Sequence, residues 1–225
     1  MSTVVSQSLR CDAQRNRAAL LEAAAEAFAE QGIEVSVGEI ARRAGVAKGT
    51  LFRHFPAKRD LLSAVLIDRM LALRAIVTEV SQSRPPGLAA VAELMTRGAE
   101  MLAADRSFFD AAMRDTAGDE RLVGAKLELM AAFDGLLAGA QSRGEVRADI
   151  NGIDIAMLIM AATNTCAPAQ AREPQLWRRY IALMTDALRP GPLTELPAPA
   201  LSPAQLAALH APRAAADEGS AVTVS

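Results

Sequence analysis

An all-helical fold is what this chain predicts, and three observations lead there. Of its 225 residues 51% are apolar and only 4% aromatic, and the apolar share is dominated by Ala and Leu, strong helix formers, while the residues strands favour are sparse. Apolar side chains recur three and four positions apart. Gly and Pro fall between those runs, where helices stop. A chain of this length buries a sizeable core as one large domain or two small ones.

The elements follow in order. Residues 1–11 read as a flexible tail. From about 12 to 31, Leu20, Ala24 and Phe28 share a helical face, and Gly32 stands at the position that ends the helix. Ser36-x-x-Glu39 is a capping box: the hydroxyl accepts from an orphan N–H and the carboxylate reaches back. The short helix it opens ends at Gly45, after Ile40, Ala41 and Ala44 have shown a small apolar face. A third helix spans about 47–55, and Leu51 and Phe55, four apart, point together into a core. Pro56 cannot continue it. A fourth starts near Ala57 and turns Leu62, Leu66, Leu73, Ile76 and Val80 inward. After a loop at 83–87, helical patterns cover about 88–104, 106–117, 120–143, 150–167 and 174–188. Six of the eleven prolines lie in the final 36 residues, so residues 190–225 read as an extended or mobile tail. Within it Ser202-Pro203 can cap a short helix over 203–210.

Charge is distributed unevenly. The net charge is −2, yet six cations (Arg42, Arg43, Lys48, Arg53, Lys58 and Arg59) fall between Ser36 and Leu62 beside two acids, Glu39 and Asp60. Two short helices joined at Ala44-Gly45-Val46 have the form of a helix-turn-helix. With Leu51 and Phe55 inward, the third helix presents Lys48, Gly49, Thr50, Phe52, Arg53 and His54. Cations, a hydroxyl, an aromatic ring and a glycine that allows close approach suit the phosphates and base edges of a DNA groove.

The run Ser-Val-x-x-Ile-Ala-Arg-Arg-Ala-Gly-Val-Ala-Lys-Gly-Thr-Leu-Phe-Arg-His-Phe-Pro-Ala-Lys-Arg-Asp-Leu-Leu, Ser36 to Leu62, resembles the DNA-binding segment of the tetracycline-repressor (TetR) family, and the likeness extends over about residues 15–65. The resemblance implies an N-terminal three-helix bundle carrying the helix-turn-helix (12–56) and a helical ligand-binding and dimerisation body (57–189). It implies that Lys48, Gly49, Thr50, Phe52, Arg53 and His54 enter the groove. Ser36, Val37 and Lys58 would hold phosphates at helix N-termini. It further implies a homodimer on a palindromic operator, most simply a repressor released by a small-molecule effector. Two positions depart from the family pattern: Ala47 stands where Ser or Thr often caps the third helix, and Phe52 where Tyr is common. A helical interaction protein that kept the head and lost specific DNA binding is therefore the alternative.

Eight of nine methionines lie between Met70 and Met184. They fit an adaptable pocket for a small apolar or aromatic effector, or plain core packing. Met101, Phe108, Phe109, Met113, Met130, Phe133, Met157 and Trp177 are the pocket candidates. The last helix is apolar on two sides, Leu176, Tyr180, Leu183 and Ala187 on one and Trp177, Ile181, Met184 and Leu188 on the other. Its predecessor shares this character through Ile153, Met157 and Met160 against Ile155, Leu158 and Ile159. Two stripes point to burial against the body and against a twin subunit, although a deeply buried monomer helix looks the same.

Catalysis finds little to work with. The two histidines, His54 and His210, form no metal-spaced pair, Cys11 and Cys166 belong to no motif, and no nucleophile stands beside a base. No cofactor or metal is expected, and no enzyme. Without an apolar leader at the start, and with Ile155–Thr163 too short to span a bilayer, the expectation is a cytoplasmic protein with no membrane partner.

Overall fold

The computed structural model describes residues 2–104, 118–191 and 195–209, and among them the only regular structure is helical. The order is α1 (Ser2–Gln31), α2 (Val37–Arg43), α3 (Lys48–His54), α4 (Lys58–Ser83), α5 (Leu88–Ala104), α6 (Glu120–Ser142), α7 (Gly152–Cys166), α8 (Leu176–Ala187) and α9 (Pro203–Leu209), with a single 3₁₀ turn at Ala167–Ala169. The helix expected over 106–117, with Phe108, Phe109 and Met113, lies outside the described residues, as does His210.

α1 begins at Ser2, so residues 2–11 are helical where a flexible tail was expected. Neither Gly nor Pro interrupts the stretch from Ser2 to Gln31, and a helix once nucleated propagates through such a sequence. α1, α2, α3 and the start of α4 then build the head. Leu20, Ala24 and Phe28 of α1, Ile40 and Ala41 of α2, Leu51 of α3, Phe55 just beyond it, and Leu61 and Leu62 of α4 are all buried. Each large side chain so buried contributes about 1.5–3 kcal/mol.

α4 belongs to head and body alike. It packs on α1 and also on α5 and α6, while α5, α7 and α8 pack on one another. Further along α4, Met70, Leu73, Val77 and Val80 are buried in the body with Leu94 and Met95 of α5, Leu129 and Phe133 of α6, Ile155 and Ile159 of α7 and Trp177 and Ile181 of α8. By length and composition alone Gly152–Ala169 could cross a bilayer, twice the apolar stretch read from the sequence. Here Ile153, Ile155, Ile159, Ala162 and Cys166 from that window lie in the core.

Polar groups lock the loops. Asn151 Oδ1 accepts from the N–H groups of Ile153 and Asp154 at 2.9 and 3.2 Å, while Asp154 accepts from the Asn151 N–H at 2.9 Å. The chain after 190 is not wholly loose. Ser202 Oγ accepts from the Gln205 N–H at 3.2 Å and Gln205 Oε1 accepts from the Ser202 N–H at 2.8 Å, so α9 opens on a reciprocal cap. Asn151 Nδ2 donates to the Leu201 carbonyl at 2.8 Å, and Leu206 is buried against the body. An apolar contact and one anchor overcome the proline-rich composition over this stretch.

The α6–α7 crossing depends on a missing side chain. A Cβ at Gly152 would stand 2.7 Å from Phe133 Cβ and 2.8 Å from the Met130 carbonyl oxygen. Gly152→Ala should lower stability by about 1–3 kcal/mol, read as a smaller urea midpoint. Gly135→Ala in α6, where nothing lies within 4 Å of the added carbon, should raise stability by about 0.5–1 kcal/mol.

Candidate nucleic-acid interface and internal cavity

The helix-turn-helix is set by backbone geometry at one residue. Gly45 has φ 67°, a left-handed conformation that glycine adopts without steric cost. There its N–H reaches the Arg42 carbonyl at 3.2 Å and the Val46 N–H reaches the Ala41 carbonyl at 3.0 Å. These two bonds end α2 as a Schellman motif and aim the chain into α3. Ala47 stands at the N-cap of α3 with no side-chain cap, so backbone bonds alone tighten that end, the Thr50 and Leu51 N–H groups reaching the Ala47 carbonyl at 2.8 and 3.3 Å.

Leu51 and Phe55 are 0% and 2% exposed, whereas Lys48, Gly49 and Arg53 face solvent and Phe52 is 40% exposed. Thr50 and His54 are half-buried. Thr50 Oγ1 accepts from Arg53 Nη2 at 3.1 Å, and the Lys48 ammonium lies 5.9 Å from the Phe52 ring centroid. Nothing lies within 4 Å of where a Cβ would be at Gly49.

Not all six cations are available. Glu39 accepts from Arg42 at 2.7 and 2.9 Å and from Arg43 at 3.0 Å, while Arg43 also pairs with Glu30 at 2.8 Å. Those hydrogen bonds, first from Arg42 and then from Arg43, hold the Glu39 carboxyl down at about 2. They also correct the expected capping box. Ser36 Oγ does accept from the Glu39 N–H at 3.1 Å, but the carboxylate turns to the two guanidiniums, which offer charge as well as hydrogen bonds. Among the described residues Lys48, Arg53 and Lys58 pair with no carboxylate. Val37 packs half-buried against the head core, leaving its backbone at the helix end, and Lys58 is half-buried at the first turn of α4.

A cleft joins head to body beside α3, lined by Arg17, Arg53, His54, Phe55, Asp60 and Arg121. The Arg17 guanidinium stacks 4.7 Å from the centre of the Phe55 ring. At the start of α6, Arg121 binds Asp119 at 2.9 Å and lies 3.8 Å from Asp60 of α4. The Arg121 guanidinium beside Asp119 holds that carboxyl well below the usual range.

The body holds a partly open cavity of about 130 Å³ between α4, α6 and α7. Of the residues expected at an effector pocket, Met130, Phe133 and Met157 line this cavity, together with Met70, Leu73 and Met160. Two candidates lie elsewhere. Met101 packs half-buried against the core while its neighbour Leu102 takes the lining position, and Trp177 is buried beyond the cavity wall with the Arg178 guanidinium 4.5 Å over its ring. Adjacent helical positions are turned about 100° apart, so only one of a neighbouring pair faces a given wall.

Two lining residues were missed by sequence reasoning, Leu206 of α9 and Lys126 of α6. Lys126 is 8% exposed, and burial pushes its ammonium down to about 8. The signal was present: Lys126 stands four after Leu122, three before Leu129, four before Met130 and seven before Phe133, on the inward stripe of α6. Among the described residues no other charged side chain lines the cavity, and no cluster of three His, Cys, Asp or Glu side chains gathers anywhere.

α7 and α8 leave apolar side chains outside. Met157, Tyr180 and Leu183 are 42%, 37% and 54% exposed, with Ala161 and Ala187 beside them.

Comparison with known proteins gives these features a context. Residues 20–65 match the model of bacterial regulatory proteins of the tetR family, and residues 85–190 match the C-terminal domain of SbtR-like transcriptional regulators. A TetR transcription regulatory protein from Mycobacterium vanbaalenii is 35% identical, with a TM-score of 0.61 over 81% of this chain and 99% of that one. A TetR transcriptional regulator from Streptomyces coelicolor is 28% identical, with a TM-score of 0.60 over 77% of this chain and 98% of that one. The HTH-type transcriptional regulator SrpR of Pseudomonas putida is 35% identical over 66 residues, 29% of this chain and 31% of that protein. The curated relatives are thus matched over a third to a half of their length.

Two predictions arise from these sites. Ala47→Ser restores the missing cap and should raise stability by about 1 kcal/mol, seen as a higher denaturant midpoint. Lys126→Met removes a buried charge whose depressed folded pKa makes the ammonium a penalty on folding. The variant should be more stable by about 1–3 kcal/mol at pH 7. That margin is full below about 8 and shrinks as pH rises toward the free-lysine value of 10.5, because the folded protein then releases its proton first. Chemical denaturation of both proteins between pH 7 and 10 reads the sign.

Proposed function

Since the chain belongs to the TetR family of bacterial regulatory proteins, we propose that it is a sequence-specific DNA-binding transcriptional regulator, a homodimeric repressor released from a palindromic operator by a small apolar effector. The observation that carries the reading is the rotation of α3, which buries Leu51 and Phe55 and turns Lys48, Gly49, Phe52 and Arg53 outward. Arg53, with Thr50, reads base edges. Lys48 and Lys58 meet phosphates, as do Ser36 and Val37 at the start of α2. His54, half-buried, borders the same surface.

Reading a palindrome takes two copies with their recognition helices about 34 Å apart, one turn of duplex. The exposed stripe of Met157, Tyr180 and Leu183 on α7 and α8 is the face that a second copy would cover. The internal cavity is the effector site. Occupying it displaces α6 relative to α4, and Arg121 carries the shift to Asp60 and the cleft beside α3. An effector that favours the released arrangement need supply only about 1–3 kcal/mol of coupling. A bacterial regulator of this kind works in the cytoplasm on chromosomal DNA, and the proteins this chain resembles are regulators rather than enzymes.

The bare N-cap at Ala47 favours a head that folds without binding DNA. Against it stand Lys48, Arg53 and Lys58, which pair with no carboxylate among the described residues and so offer their charge to a phosphate backbone. Affinity for the DNA flanking the protein's own gene separates the two readings, because a head without function shows no preference for it over random duplex.

Arg53→Ala should reduce discrimination between operator and random DNA by about 1–3 kcal/mol. Lys58→Ala should weaken both equally and lower the slope of log K against log salt by about 0.9. Gly49→Ala should leave folding intact and still reduce operator affinity, since its methyl group meets only the duplex. Gel-shift titrations at several salt concentrations measure all three, and identical behaviour of the Arg53 and Lys58 variants would refute these roles.

A further inference from the structure

We propose that the ligand of the internal cavity is a small organic acid, a ring or short chain ending in one carboxylate, and that Lys126 is its counter-ion. The proposal rests on the effector reading of the cavity and adds a chemical class to it. Lys126 is more than nine-tenths buried and lines a cavity whose other described walls are Met, Leu, Ile, Phe and Ala. Among the described residues it has neither hydrogen bond nor ion pair. A lysine that only filled space could be Met or Leu at no electrostatic cost, whereas a lysine buried over nine-tenths of its surface with no carboxylate beside its ammonium is penalised. Its proton remains largely in place at neutral pH even after burial, and among the described lining residues Lys126 is the one with a charged side chain.

Three features of the ligand follow. One cation on the wall calls for one negative charge, because a dianion would keep an uncompensated charge in an apolar site. A carboxylate accepts two of the three ammonium hydrogens in short, charge-assisted bonds. The volume of about 130 Å³ sets the size of the apolar part, since an apolar cavity of about 150 Å³ accommodates benzene. Benzoate and hexanoate are acids of that size. The desolvation of Lys126 is already a cost of folding, so the incoming acid gains the ion pair without causing that cost again.

The test uses the full chain, isothermal titration calorimetry and paired probes: benzoate against benzyl alcohol and benzylamine, hexanoate against 1-hexanol. Wild type should bind each acid at least tenfold more tightly than its alcohol and should reject the amine. Lys126→Met should lose roughly 10–100-fold in acid affinity while keeping its affinity for the alcohols, and a melting temperature at or above wild type shows that it is folded. Equal acid binding by Lys126→Met, no preference for acid over alcohol, or no saturable acid binding at millimolar concentrations each overturns the proposal. Operator release is scored separately. Acids that bind through Lys126 without releasing DNA uphold the ligand class and defeat the effector reading. Release by the alcohols alone, equally in wild type and Lys126→Met, upholds the effector reading and defeats the ligand class.

Discussion

Burial of Leu51 and Phe55 fixes the rotation of α3 about its own axis, and every functional statement about the head inherits that rotation. The helix has seven residues and no side-chain cap, too few to persist alone. What holds it is the apolar contact of those two side chains with α1, α2 and α4 and the turn at Gly45 that delivers it there. Rotating α3 by a single residue, about 100°, would bring Phe52 into the core and send Leu51 into the solvent. The recognition surface is therefore a by-product of core packing. The same logic assigns Arg42 and Arg43 to structure, because their guanidiniums brace α2 through Glu39 and Glu30, and leaves Lys48, Arg53 and Lys58 for a partner.

Head and body share one rigid part. α4 contributes Leu61 and Leu62 to the head core and Met70 and Leu73 to the wall of the cavity, so it cannot shift at one end without consequence at the other. α6 lies against it. Its first turn holds Arg121 beside Asp60, and about 7.5 Å along its axis Lys126 looks into the cavity. The two sites are thus bridged by two packed helices and one ion-paired corner. Close-packed helices of this kind move as units, so under the proposed effector reading a ligand would act on the head through their relative position rather than through a chain of small side-chain adjustments.

Much of this was legible in the sequence because it depends on local rules. Gly45 and Pro56 bound α3, Leu51 and Phe55 share a face four residues apart, and Ser36 and Ser202 announce helix starts. What was illegible depends on competition between distant groups. Ser36-x-x-Glu39 specifies a capping box, yet nothing local says that Arg42 and Arg43 will take the carboxylate. Met101 and Trp177 have the right chemistry for a cavity wall, but neighbouring positions on their helices face it or lie beyond it. The docking of α9 through Leu206 needs an anchor, Asn151, fifty residues away from Leu201. Lys126 is a different case: its place on the apolar stripe of α6 is visible by counting, and only the habit of assigning lysines to the surface hides it.

That lysine also explains how a cavity made almost wholly of hydrocarbon can be selective. An apolar pocket discriminates weakly, since one methylene more or less changes binding by only about 1–3 kcal/mol. A site holding an unpaired charge discriminates by a different mechanism, because a ligand without the complementary charge leaves the ammonium as badly placed as before. Stability and recognition are then two sides of one residue. The ligand-free fold bears a penalty at Lys126, and the ligand that removes it stabilises whichever arrangement of α4 and α6 lets the pair form most closely. If that arrangement differs from the one that sets two heads on DNA, the electrostatic cost built into the empty protein is the source of the energy that moves it.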